Sequence, residues 1–286
     1  MIATNTMFRK QEWSVVGEMK PYFLQYPSVV SFSGGRSSGY LLAKIIEAHS
    51  GQLPDHVYVV FANTGKEHIA TLEFVREVEL RWCRIVWVER SDNEEKFAVK
   101  DFESASRNGE PFEQLIRKKK FLPNPIMRFC TSDLKVVPIK NYMKSIGVLE
   151  YTTVLGLRGD EPRRVAMVTG DPSRDVVCPM ATAGATRSTI MDFWKKSNFD
   201  LKLPNGDQAF GNCDLCFLKG RAPTDRVVHQ NPESVEWWAR MELETGGTFR
   251  KDRATYQQIR IQVAEQGMLF NDIEDHEGTL PCDCTG

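Results

Sequence analysis

A run of glycine and serine, SFSGGRSSG from Ser31 to Gly39, contains the residue types that bind phosphate groups. It follows a β-branched segment, Ser28–Phe32, and precedes a helical pattern of apolar residues that starts at Tyr40. Glycine lets the backbone approach an anion closely, and the N–H groups at the start of a helix point towards that anion. The sequence therefore predicts a phosphate-binding loop, with a plain strand-to-helix turn as the alternative. The predicted binding residues are Ser31, Ser33, Gly34, Gly35, Arg36, Ser37 and Ser38.

Cysteines are the second group that could do chemistry. The seven are Cys83, Cys130, Cys178, Cys213, Cys216, Cys282 and Cys284. An odd number in a chain with no predicted signal peptide favours metal or redox chemistry over disulfides. Cys213 and Cys216 form a C-x-x-C pair, which could bind an iron–sulfur cluster or zinc, or act as a redox dithiol. Cys83 and Cys178 are predicted to lie in the core.

The elements that must position these residues alternate between strand and helix patterns. Apolar, β-branched runs predict strands at Ser28–Phe32, Val57–Ala62, Arg84–Val88 and Thr152–Leu157. Amphipathic segments between them predict a Rossmann-like α/β fold, a doubly wound parallel sheet with helices on both faces. Ligands of such sheets lie at the carboxyl ends of the strands. Three of these ends carry SGG, Asn63-Thr64-Gly65 and GLRGDE, so we expect one site to receive all three motifs.

Two regions are predicted along the chain, an α/β nucleotide-binding domain at 1–170 and a smaller, mainly helical region with cysteines at 171–286. In the second region, Thr186 is predicted to cap a helix that runs to about Lys196. Another helix is expected from Pro232 to Glu244, with its two tryptophans in the core. Residues 90–128 are interpreted as irregular because glycine and proline interrupt them.

Composition sets limits on location and partners. The 286 residues carry a formal net charge of −1, which gives no global reason to expect nucleic acid. No apolar run approaches the roughly 18 residues that a membrane span needs, and the N-terminus lacks the apolar segment of a signal peptide. We therefore expect a cytoplasmic protein with no membrane partner. The basic run Arg117–Lys120 is interpreted as a solvated face or as a surface that attracts tRNA or DNA.

The loop SFSGGRSSG resembles the SGGxxS loop of the N-type ATP pyrophosphatases, a superfamily that includes the phosphoadenosine phosphosulfate (PAPS) reductases. FANTGKEHIATLEFV and GLRGDEPRR are similar to two further segments of that family, and the resemblance covers residues 28–220. It implies an adenine nucleotide, ATP or PAPS, with Asn63, Thr64 and Gly65 at the nucleotide and Arg158 facing phosphate. Thr71 stands in the place of a later family threonine. Arg36 replaces a lysine of the family loop, and Ser37 replaces an acidic residue. These two differences leave open which nucleotide is bound and whether Mg²⁺ is bound with it.

The segment CTSDLKVVP, which begins at Cys130, resembles a segment of cluster-containing adenylyl-sulfate reductases. The resemblance implies a phosphate contact for Lys135. The reductases have a Cys-Cys pair here, whereas Phe129 precedes Cys130. Three cysteine ligands remain, as in sulfur-transferring adenylating enzymes with a three-cysteine [4Fe–4S] cluster. The ligands implied are Cys130, Cys213 and Cys216, with Cys282 or Cys284 as a fourth and zinc as the alternative metal.

Three functions follow from these expectations. In the first, ATP activates an acceptor oxygen and sulfur from the cluster displaces AMP, while Arg36 and Arg158 stabilise charge on the phosphates. In the second, a cysteine thiolate attacks the sulfur of PAPS or its unphosphorylated relative, and a thioredoxin-like partner resolves the S-sulfocysteine. The family role of a C-terminal cysteine points to Cys284 for that attack. In the third, the protein is a nucleotide-binding module with structural zinc.

Overall fold

A six-stranded sheet forms the centre of the computed structural model, which describes residues 20–171 and 174–266. The strands, in chain order, are β1 Ser28–Phe32, β2 Val57–Ala62, β3 Val86–Arg90, β4 Phe97–Lys100, β5 Thr152–Val154 and β6 Val176–Val177. Their order across the sheet is β4-β3-β2-β1-β5-β6. All neighbours are parallel except β3 and β4. The predicted parallel α/β fold is confirmed.

Helices pack on both faces of this sheet. The helices of the described residues are α1 Arg36–Ala48, α2 Ile69–Arg81, α3 Glu110–Lys119, α4 Phe129–Thr131, α5 Val137–Ser145, α6 Pro162–Thr169, α7 Pro179–Thr182, α8 Arg187–Lys196, α9 Arg221–Gln230, α10 Ser234–Thr245 and α11 Tyr256–Gln266. Short 3₁₀ helices lie at Lys20–Tyr22, Pro204–Gly206 and Gln208–Phe210, and a π-helical turn at Ser132–Val136 joins α4 to α5. Among the described residues, no helix is long and apolar enough to cross a membrane.

Successive strands are added to the sheet first on one side of β1 and later on its other side. From β1 the chain proceeds through β2 to β3, and it later returns to place β5 on the free side of β1. Val30 of β1 thus pairs with Val59 of β2 on one side and Val154 of β5 on the other. Such a reversal opens a crevice at the carboxyl ends of the two diverging strands, where ligands of open α/β sheets bind.

The main hydrophobic core does not stop at residue 170. It includes sheet residues such as Phe32 and Phe61 together with Trp194, Trp238 and Val263. A smaller cluster covers the other face of the sheet, because alternate strand residues point to opposite faces. The expected burial of both tryptophans of α10 is confirmed. One cluster therefore contains residues from both sides of residue 170, and the division into 1–170 and 171–286 stays a prediction.

Several local expectations can be compared with the structure. Thr186 caps α8 as predicted, in a reciprocal capping box with Thr189. The irregular interpretation of 90–128 is wrong, since this stretch contains β4 and α3. Pro111 lies in the first turn of α3, where a backbone N–H group would have no hydrogen-bond partner within the helix. Between residues 129 and 145 the helical conformation is interrupted by the π-helical turn.

Candidate functional site

Three strand-end motifs meet at the carboxyl edge of the sheet, as the sequence predicted. The SGG loop follows β1, Asn63–Gly65 follow β2, and the GLRGDE loop follows β5. A side chain added at Gly156 would begin 3.4 Å from the backbone N and Cα of Ser38. One added at Gly34 would begin 3.4 Å from Phe61, the penultimate residue of β2. The SGG loop therefore lies close to both the end of β2 and the GLRGDE loop at this edge.

The SGG loop has the shape of an anion cradle. Gly34 adopts φ of +73°, and a Cβ there would stand 2.6 Å from Cγ2 of Thr71. Gly35 occupies the N-cap position of α1 and makes no side-chain cap. The first N–H groups of any α-helix lack partners within that helix, so the start of α1 presents amide donors with positive partial charge. Ser38 closes the loop by donating from Oγ to Gly35 O at 2.9 Å.

Two hydroxyl groups beside this cradle have different environments. Ser33 donates from Oγ to Ser38 Oγ at 3.1 Å, so these predicted ligands also hold the loop together. Thr71, at the start of α2, is only 2% exposed, and its Oγ1 makes no hydrogen bond within the described part of the chain. A buried hydroxyl group without a partner is costly. Thr71 Oγ1 is therefore a candidate ligand contact directly behind Gly34.

Arg36 is engaged by a carboxylate. Its Nε and Nη2 donate to the two oxygens of Asp200 at 2.7 and 2.8 Å, and Nη2 also donates to Leu201 O at 2.7 Å. Trp194 Nε1 donates to Arg36 O at 2.9 Å, which brings α8 onto the start of α1. For the predicted phosphate role, Arg36 would have to exchange Asp200 for phosphate. Sequence reasoning did not identify Asp200.

Arg158 is paired in the same way. It lies 2.7 Å from Asp160 and 3.4 Å from Glu161, and Arg164 bonds to Glu161 as well. Burial alone would raise the pKa of Asp160, but hydrogen bonds from the Arg187 N–H and from Arg158 lower it. Arg158 and Arg164 therefore pair with neighbouring carboxylates in the structure, and phosphate binding by Arg158 stays a prediction.

The Asn63-Thr64-Gly65 motif uses its side chains to fix the backbone. Asn63 is fully buried and donates from Nδ2 to Glu89 Oε1 at 2.6 Å and to Ser106 O at 2.8 Å. The Thr64 hydroxyl bonds to the Glu67 carboxylate at 2.9 Å. These side chains hold the loop, whose three residues are all buried, and contact of this loop with a nucleotide stays a prediction. The buried Glu89 and Glu67 were not identified from sequence.

The C-x-x-C turn lies against this same loop. Glu67 and Cys213 form an antiparallel β-bridge, and Asp214 N donates to Lys66 O at 2.8 Å. Thr64 Oγ1 lies 3.5 Å from Cys213 Sγ. Cys216 N donates to Cys213 O at 3.3 Å, which defines a tight turn, and both cysteines are buried. The structure therefore places a cysteine pair beside the end of β2.

Cys130 is partly buried in α4 and packs against the same core cluster as Cys213 and Cys216. In residues 20–171 and 174–266, no three His, Cys, Asp or Glu side chains are grouped closely enough to hold a metal ion. The described residues alone therefore do not fit a [4Fe–4S] cluster or zinc. The cysteines expected to add a ligand or a nucleophile, Cys282 and Cys284, lie outside the described residues.

The remaining basic candidates are placed near β3. Lys135, partly buried, lies in the π-helical turn, a rare conformation that is frequent at functional sites. In the run Arg117–Lys120, the first three residues make ion pairs with acidic side chains. That pairing favours a solvated face over a nucleic-acid surface, because the charge is largely compensated.

Two cysteines away from the cradle are expected to react slowly. Burial raises the pKa of the Cys178 thiol to about 11 and that of Cys83 to about 11. Only the thiolate reacts, so at pH 8 we expect alkylation roughly 100-fold slower than for the same cysteines in urea, rising about tenfold per pH unit. Peptide mass spectrometry after timed labelling with iodoacetamide measures this. Equal rates in folded and unfolded protein would contradict the assigned burial.

Comparison with known proteins gives one relevant similarity. No family model matches the chain. The chain is 33% identical over 202 residues to the uncharacterized nin region protein ORF290 of Escherichia phage lambda. The match covers 67% of this chain and 66% of that protein, slightly less than two thirds of its length. The name of that protein states no activity.

Proposed function

We propose that this protein is an adenine-nucleotide enzyme of the ATP pyrophosphatase and PAPS reductase kind, and that it cleaves ATP at the α-phosphate. The observation that carries this proposal is the SGG loop at the β1–β5 crevice, where Gly34 lies against Thr71 and the start of α1 has no side-chain cap. Amide groups at such a position stabilise phosphate oxygens without the cost of reorganisation.

The proposed chemistry begins with an acceptor oxygen that attacks the α-phosphorus. The bond to the bridging oxygen breaks, and pyrophosphate leaves with the electron pair. The amides of the α1 start bind the phosphate oxygens, and Arg36 and Arg158 would approach by exchanging a carboxylate for phosphate. Magnesium, if bound with the nucleotide, would supply positive charge that stabilises the phosphate groups. Sulfur would then attack the carbon that bears the adenylated oxygen, the C–O bond would break, and AMP would leave with the electron pair. tRNA and DNA are candidate acceptors.

Sulfur chemistry is proposed because Cys213 and Cys216 lie beside the β2 end of the same edge. A cluster would need ligands beyond those grouped in the described chain, so no step is assigned to it. A cytoplasmic location, where thiols stay reduced, suits this use of cysteine.

The second candidate is a sulfonucleotide reductase. A thiolate would attack the sulfur of PAPS, the S–O bond to phosphate would break, and an S-sulfocysteine would remain. A thioredoxin-like dithiol would then release sulfite. The neighbouring cysteine pair favours this candidate, since its second thiol is suited to redox exchange.

Calorimetric titration of anaerobically purified protein with ATP and with PAPS tests the proposal, together with a pyrophosphate assay and iron and sulfide analysis. We expect ATP to bind and to release pyrophosphate when an acceptor is present. Tight binding of PAPS with release of adenosine 3′,5′-bisphosphate would instead support the reductase. The absence of binding to either nucleotide would defeat both candidates.

A further inference from the structure

Lys66 is a buried lysine immediately after the Asn63-Thr64-Gly65 loop. It is 7% exposed, and its Nζ lies 2.9 Å from Asp214 Oδ2 and 5.1 Å from the centre of the Trp237 ring. A buried ammonium group is costly unless it is paired, and both contacts offset that cost. The ammonium group of Lys66 therefore forms its ion pair with the Cys213–Cys216 turn, because Asp214 directly follows Cys213 in that turn.

Asp214 is fully engaged in return. Its Oδ1 accepts hydrogen bonds from Trp238 Nε1 at 2.8 Å and from Leu215 N at 2.7 Å, while its own N–H donates to Lys66 O at 2.8 Å. Asp214 thus binds Lys66 through both its backbone N–H group and its side-chain carboxylate. The same residue is tied to α10 through Trp238.

The stem of Lys66 lies beside the start of α3, where Gly109 has no room for a side chain. Gly109 adopts φ of +86°, and a Cβ there would stand 2.6 Å from Trp237 Nε1 and 2.9 Å from Lys66 Cδ. A Cβ at Gly65 would stand 3.1 Å from Gly109 Cα. Two glycine backbones in contact therefore bring the β2 loop, the start of α3 and α10 together around the lysine stem.

From these contacts we infer that Lys66 is a positioning residue, which fixes the Cys213–Cys216 turn to the Asn63-Thr64-Gly65 loop. Opening of the turn exposes the two buried thiols and releases the loop after β2. A nucleotide that orders this loop must then reduce the opening of the turn, and a change at the cysteines must alter nucleotide affinity by the same factor. The nucleotide half of this inference rests on the proposed function.

The test compares Lys66→Met, Lys66→Arg and Asp214→Asn with the wild type, and Lys44→Met is the control. Lys44 forms an exposed ion pair with Glu47 at 2.7 Å, remote in sequence from the cysteine turn. N-Ethylmaleimide labelling rates at Cys213 and Cys216 are measured by mass spectrometry, with and without ATP. Because labelling requires local opening, Lys66→Met and Asp214→Asn should label about tenfold faster or more.

We expect Lys66→Arg to restore most of the protection and Lys44→Met to behave as wild type. ATP should slow labelling in the wild type and have little effect in Lys66→Met. If Lys66→Met does not fold, the isosteric Asp214→Asn decides. Folded variants with wild-type labelling rates would overturn the inference. If the wild-type protein binds no nucleotide, the proposed function fails. The N-ethylmaleimide labelling rates measured without nucleotide still test whether Lys66 holds the cysteine turn closed.

Discussion

Replacement of Gly34 with alanine is expected to weaken the proposed ATP binding by about 100-fold, of the same order as the loss of rate that a displacement of about 1 Å causes at an active site. The added methyl group would stand 2.6 Å from Thr71 Cγ2 and 3.0 Å from Val75 Cγ2, and φ is +73°. Both contacts are with β-branched residues of α2, which have little rotational freedom. The loop must therefore move away from α2, and the amides at the start of α1 move with it. Isothermal calorimetry measures the loss.

Gly51→Ala is the matched control for this substitution. Gly51 adopts φ of +89°, but nothing lies within 4 Å of its added Cβ. Each substitution costs roughly 1–2 kcal/mol in backbone conformation, whereas only Gly34→Ala also displaces the cradle. Both variants should therefore unfold at a lower urea concentration than the wild type, and only Gly34→Ala should bind ATP more weakly. Equal ATP affinity in the two variants would remove the SGG loop from the nucleotide site.

Lys219→Met is expected to cause the largest loss of stability, about 2–4 kcal/mol, because a buried carbonyl group left without a donor costs roughly 1–3 kcal/mol and removal of the buried ammonium group offsets part of the total. Its Nζ donates to three backbone carbonyl oxygens, those of Ala209, Cys213 and Asp214, at 2.5, 2.7 and 2.6 Å. Lys219 is only 7% exposed, so methionine would leave these carbonyl groups buried without their charged donor. The segment that carries the cysteine pair should then open.

Urea unfolding followed by tryptophan fluorescence measures this loss. Lys202→Met is the control, because Lys202 lies in the same region and is exposed. The control should stay within about 0.5 kcal/mol of the wild type, as surface substitutions usually do. A loss below about 1 kcal/mol in Lys219→Met would mean that water replaces the ammonium group at these carbonyl oxygens.

The sheet and the meeting point of its loops were predictable because their signals are local. Each central strand is a short β-branched run, and its last residue is followed at once by a polar motif. Parallel strands bring such ends to one edge whatever their order. Thr186 is likewise a local signal, which correctly predicted the start of α8. The stretch 90–128 was misread because Gly109 and Pro111 open a helix there.

The roles of side chains within the loops were not predictable, because their partners are distant in sequence. Arg36 and Asp200 are 164 positions apart, and Thr64 and Cys213 are 149 apart. An arginine in a glycine-rich loop has the same local pattern whether it faces phosphate or a carboxylate. Only the packing of α8 on α1, which Gly39 permits beside Trp194, brings Asp200 to Arg36.

The core that runs across residue 170 has a consequence for how the chain folds during synthesis. β1 pairs with β5, and its apolar face shares one cluster with residues as late as Val263. A nascent chain that has released only β1, β2 and β3 therefore exposes an uncovered sheet face and an unpaired edge. Such species aggregate readily, and pairings between distant segments form slowly. The chain must consequently reach its native state late, after α8 to α11 have left the ribosome.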